Sequence, residues 1–161
     1  PPLYLPEIIR FFPFVGTQPV DMMDKLSRIL RIKHGQYMVQ FKKTELKPQI
    51  RMSIAKDLSR IIFEVERERF PELGEGDSKF YPFEEIMFVA NLLVPKSILL
   101  KDLQTIDSKR NLVSELAANF WAPKLLVNFQ LQEVMQNLKV SSMAVDTSKT
   151  SATKDRDASL I

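Results

Sequence analysis

The chain has 161 residues, 45% hydrophobic and 27% charged. This is ordinary usage for one globular domain of roughly 100 to 200 residues, and it excludes wholesale disorder. There is no cysteine and one histidine, His34, which excludes disulfide frameworks and cysteine-based zinc sites and leaves too little imidazole for catalytic triads or His-ligated metal centres; the net charge of +3 selects no partner.

The apolar stretch from Leu3 to Val15 is interrupted by Pro6, Glu7, Arg10 and Pro13, and it lacks the basic start and small-residue cleavage site of a signal peptide. No apolar run anywhere reaches the ~18 residues that cross a bilayer. Residues 1–18 therefore read as an N-terminal extension ahead of one domain over residues 19–140, and the chain is expected in the cytoplasm, with no membrane partner. Apolar residues at Val20, Met23, Leu26, Ile29 and Leu30 recur at three and four, which predicts a helix over Val20–Ile32 with Asp21 and Asp24 in its first turn. After His34-Gly35, the run Tyr37-Met38-Val39-Gln40-Phe41 is short and rich in strand formers, and Lys42-Lys43 closes it as a guarded sheet edge. Pro48 suits a first helical turn, and Ile50, Ile54, Leu58, Ile61, Ile62 and Val65 form the stripe of a long helix that crosses the core and ends near Phe70-Pro71.

Leu73 to Ser78, with Gly74, Gly76 and the acids Glu75 and Asp77, has loop chemistry. A helix follows over Pro82–Val94, its wide apolar face carrying Ile86, Val89, Ala90 and Leu93, and Pro95 stops it. Asp107 or Ser108 is a candidate cap for a helix over Lys109–Trp121, and Pro123 can open another with the stripe Leu126, Phe129, Val134 and Leu138. From Ser141 onward the composition offers almost nothing to bury, so residues 141–161 are expected to be a disordered tail.

Charge is uneven. From Lys25 to Arg60 ten Lys or Arg face only Glu45 and Asp57, whereas from Glu64 to Glu85 eight acids face Arg67, Arg69 and Lys79. The basic segment makes Lys25, Arg28, Arg31, Lys33, Lys42, Lys43, Lys47 and Arg51 candidate phosphate contacts, and a nucleic-acid partner the alternative function. No helix-turn-helix or RNA-binding signature accompanies them.

Three blocks in one order carry a resemblance. The first is Arg51-Met52-Ser53-Ile54-Ala55-Lys56-Asp57-Leu58-Ser59-Arg60, following the predicted strand. The second runs from Glu84-Glu85 through Phe88-Val89-Ala90-Asn91-Leu92-Leu93 to Pro95, and the third is Leu116-Ala117-Ala118-Asn119-Phe120-Trp121-Ala122-Pro123. Together they resemble the ImmA/IrrE family of small zinc peptidases, which writes R-F-T-x-A-H-E-L-x-H, then an acid before A-N-x-F-A-x-x-L-L-M-P, then L-A-x-x-F-x-V-P. The resemblance spans Val20 to Leu138 and implies an α+β, zincin-like fold: a small sheet beside a core helix, with a helical C-terminal half.

The departure from the family pattern falls on the chemistry. In H-E-x-x-H the two imidazoles share one helical face and bind zinc, while the Glu activates the bound water. Those positions here are Lys56, Asp57 and Arg60, and the resemblance puts Glu84 on the acidic third ligand. Protonated Lys and Arg have no lone pair to give a metal. The implied function is a catalytically inactive peptidase-like module that binds a protein partner or regulates it, with no metal and no cofactor. Active relatives act on helix-turn-helix repressors of mobile elements or in stress responses, which points to transcription regulation. Lys56 or Arg60 is then expected to bond the Glu84 carboxylate where the metal would sit.

The residues alone also admit plainer readings. Lys56 and Arg60 are equally a solvated basic face, and Glu84 with Glu85 equally favourable charge in a first helical turn. Phe88 and Phe120 read as core anchors, His34 as a surface residue, and Trp121 as either an exposed anchor or a core residue.

Overall fold

The computed structural model describes residues 5–33, 35–44, 47–69, 81–106 and 111–137. A three-stranded sheet is built from β1 (Val15–Val20), β2 (Ser27–Arg31) and β3 (Tyr37–Lys42) in the order β1-β3-β2. β3 runs parallel to β1 and antiparallel to β2. The central place of β3 follows from its alternation: Tyr37 and Val39 are buried on one face, while Met38 and Gln40 lie half-buried on the other. On that outer face a row of side chains is hydrogen-bonded across all three strands, from Arg28 Nε to Gln40 Oε1 and from Gln40 Nε2 to Gln18 Oε1, each 2.8 Å. Gly35, at φ 70°, makes the turn between β2 and β3.

Helices make up most of the rest of the described chain. They are α1 (Leu5–Ile9), α2 (Pro48–Arg69), α3 (Tyr81–Leu93), α4 (Lys96–Thr105), α5 (Leu112–Phe120) and α6 (residues 124–137). α2 packs against β2 and β3 on one side and against α3 on the other. Of the predicted stripe, Ile50, Ile54, Leu58 and Ile61 are buried, each contributing roughly 1.5 to 3 kcal/mol by leaving water, while Ile62 and Val65 are half-buried; Ala55 is buried beside them. Val89, Ala90 and Leu93 of α3 meet this stripe, and Phe88 stacks edge-on to Phe63 at 5.9 Å. Among the described residues no helix is long and apolar enough to cross a membrane.

The fold is α+β, and several local expectations need correction. The helix predicted over Val20–Ile32 is the end of β1, a loop and β2. The spacing of three and four there marks no buried stripe: Met23 is exposed, and Leu26 and Leu30 lie on the face opposite Ile29, because pairing with β3 imposes a period of two. Residues 5–9 and 15–18, inside the stretch expected as an N-terminal extension, form α1 and the first four residues of β1, with Leu5, Ile9 and Val15 in the core. Pro95 does end α3, but α4 starts directly behind it. α5 is capped by Asn111, whose Oδ1 accepts from Ser114 N at 3.2 Å; Asp107 and Ser108 lie outside the described residues, as do His34, Leu138 and the tail from Ser141.

Candidate functional site

α2 presents its polar residues between β2 and α3. Ser27, the first residue of β2, faces inward and donates from Oγ to Asp57 Oδ2 at 2.5 Å, and it shares a 2.6 Å hydrogen bond with Ser53 Oγ. Asp57 is thereby buried under the strand. Burial pushes its carboxyl above the ordinary aspartate pKa; the Ser27 bond and the Arg60 charge oppose this rise, and the Glu85 charge adds to it.

One turn along α2, Arg60 reaches the neighbouring helix. Its Nε donates to Glu85 Oε2 at 2.5 Å and its Nη2 lies 3.4 Å from Oε1, while Lys56 Nζ is 3.6 Å from the same Oε1. Arg60 Nη1 also stands 3.9 Å from Asp57 Oδ1. The Glu85 side chain is only 14% exposed whereas that of Arg60 is 59% exposed, so the acid is sunk between the helices and the guanidinium covers it. Bonding to Glu85 raises the Arg60 pKa further. Arg60 and Glu85 border an open cleft of about 440 Å³, whose other walls are Phe63, Glu64, Arg67 and Pro82.

Lys56, Asp57 and Arg60 thus share a neighbourhood, but Glu84 does not join it. Glu84 is exposed, and among the described residues it has no ion pair. Successive helical residues point about 100° apart, and the face of α3 turned to α2 carries Glu85, Phe88 and Val89. The acid that meets the two cations is therefore Glu85. The signal available in sequence was the spacing of Glu85 to Phe88 and Val89; Ser27 and Ser53 had none, since the stretch holding Ser27 reads as a helix.

A zinc ion does not fit this donor set. Lys56 and Arg60 offer protonated nitrogens, and among the described residues no group of three or more His, Cys, Asp or Glu side chains gathers to hold a metal.

The basic candidates are dispersed. Arg51 is buried, not a phosphate contact: Nη1 donates to the carbonyl of Phe120 at 2.9 Å and of Trp121 at 2.5 Å, and the guanidinium lies 5.4 Å from the centre of the Trp121 ring. Arg31 pairs with Glu64 and Glu68, and Arg28 bonds Gln40. Lys25, Lys33, Lys43 and Lys47 are exposed and Lys42 half-buried. Arg28 and Lys42 lie on the outer face of the sheet and Arg31 on the inner one, so these cations do not form one stripe. Comparison of the chain with protein-family models, with curated proteins and with solved structures gives no match.

Proposed function

We propose that this chain is a catalytically inactive, zincin-like module of the ImmA/IrrE type, acting in the cytoplasm by binding and regulating a protein partner connected with transcription. One observation carries the reading. At the two positions where the resemblance calls for imidazole ligands stand cations, Lys56 and Arg60, and both meet a carboxylate from the facing helix, Glu85. A metal in such a site would tie α2 to α3 through its ligands; here ion pairs make that tie without one. Asp57, at the position of the water-activating Glu, is buried and engaged by Ser27, which leaves it poorly placed to act as a base toward bound substrate.

The dispersion of the cations and the burial of Arg51 favour a protein over a nucleic acid as partner. The test is hydrolysis of an unstructured protein such as casein, with and without added zinc, alongside affinity capture from the native host. The reading expects no cleavage in either condition and a retained protein partner whose capture survives nuclease treatment. Zinc-dependent cleavage, or capture lost with nuclease, overturns it.

A further inference from the structure

β2 is an edge strand, and its ladder identifies which backbone groups face outward. Lys42 N donates to Leu26 O at 2.9 Å and Ile32 N to Gln36 O at 2.7 Å. Antiparallel bonding alternates, so Leu26, Arg28, Leu30 and Ile32 turn their backbone groups to β3, while Ser27, Ile29 and Arg31 turn theirs to the free edge. Among the described residues no backbone partner meets those outward groups. On the outer face along this edge stand Leu26 at 40% exposure, Leu30 at 39% and Ile32 at 44%, with Arg28 between the first two. Lys25, Arg28 and Lys33 have no acid in ion-pair reach among the described residues; Asp21 and Asp24 lie in the loop at the Lys25 end.

We propose that this edge accepts an extended segment of a partner protein as a fourth, antiparallel strand, and that it selects an acidic residue flanked at two positions on either side by apolar ones. The backbone groups of Ser27, Ile29 and Arg31 supply the pairing. The added strand's outer-face side chains fall in turn beside Leu30, Arg28 and Leu26, so the pattern is apolar, any, acidic, any, apolar. Arg28 already spends Nε on Gln40, which leaves its terminal nitrogens to bond an incoming carboxylate. A second copy is a poor occupant. Antiparallel self-pairing centred on Ile29 would set Lys25 of each copy opposite Lys33 of the other, and like charges directly opposed destabilise a ladder. The proposal deepens the protein-binding part of the reading above and is independent of the metal positions, so zinc binding or cleavage would sink that reading and leave this one standing.

The probe is the capped peptide TVTETVT, titrated to about 1 mM into isotopically labelled full-length protein and followed by amide shifts and hydrogen exchange. The expected result is movement and slowed exchange at the amides of Ser27, Ile29 and Arg31, with Arg28 and Leu30 amides, already bonded to β3, little changed in exchange. Replacing the central Glu of the peptide by Lys should weaken binding at least about tenfold, and Arg28→Glu should reverse that preference. Ile29→Pro removes one outward N–H and no bond to β3, and should weaken binding by a similar factor. If that variant misfolds, the Arg28→Glu swap still decides. No shift at β2, binding indifferent to the Glu-to-Lys exchange, or self-association through this edge would overturn the proposal.

Discussion

Arg60 and Glu85 join α2 to α3 through a guanidinium–carboxylate pair, Nε to Oε2 at 2.5 Å. The exposure of Arg60 sets the energy of this pair: water screens it, so it belongs with surface ion pairs and not with buried ones. A double-mutant cycle on Arg60→Ala and Glu85→Ala should return a coupling of about 0.3 to 1 kcal/mol, smaller at high salt. The same cycle on Arg60→Ala and Glu84→Ala should return none. Equal coupling to both acids would contradict the helical facing described for α3.

Asp57 gives a pH prediction. Its folded pKa is raised, so the folded state binds this proton more tightly than the unfolded state does. The stability that this group contributes is present in full below the ordinary aspartate pKa and is lost as pH rises through the folded value. Asp57→Asn keeps an acceptor for Ser27 and removes the buried charge. It should therefore raise the melting temperature at pH 7 relative to the parent, and the difference should shrink as pH falls toward the ordinary aspartate value. A variant less stable at pH 7 would show that the Ser27 bond and the Arg60 attraction together outweigh desolvation.

Arg51 provides the strongest stability test outside the site. Its guanidinium satisfies the last carbonyls of α5, where Trp121 adopts a left-handed φ of 48° and Ala122 N closes the turn onto Ala117 O at 3.0 Å. Arg51→Ala leaves these carbonyls without their donor and empties a buried volume, and should cost roughly 3 kcal/mol or more in chemical denaturation. Arg51→Lys should recover little, since an ammonium has no planar face to lay on the indole and holds its water more tightly on burial. A loss below about 1 kcal/mol would mean that the latch is dispensable.

Much of this architecture was legible in the sequence where burial is one-sided. α2, β3 and α3 lie close to where their periodicities put them, because each has one apolar face and a proline or a charge pair at an end. The stretch from Val20 to Ile32 was not, since five apolar residues at helical spacing read as one stripe, and only pairing with the strand beside it turns them to opposite faces. Which acid meets Lys56 and Arg60 was not legible: adjacent acids at 84 and 85 look alike until the facing helix selects one. Arg51 was misplaced for a different reason. A long cation counts as surface in any composition, and its burial depends on carbonyls 69 and 70 residues further along the chain.

A zinc titration of the parent chain beside a variant with imidazole at both positions that the proposed resemblance assigns to ligands decides the matter. In Lys56→His with Arg60→His, two imidazoles four residues apart on α2 would join Glu85 of α3, the three-ligand set of a zinc peptidase. The parent should retain far less than one zinc per chain after dialysis and the double variant about one, and Glu85→Ala in the double variant should abolish retention while Glu84→Ala does not. Stoichiometric zinc on the parent chain, or a double variant whose zinc depends on Glu84 instead of Glu85, would contradict the proposed reading.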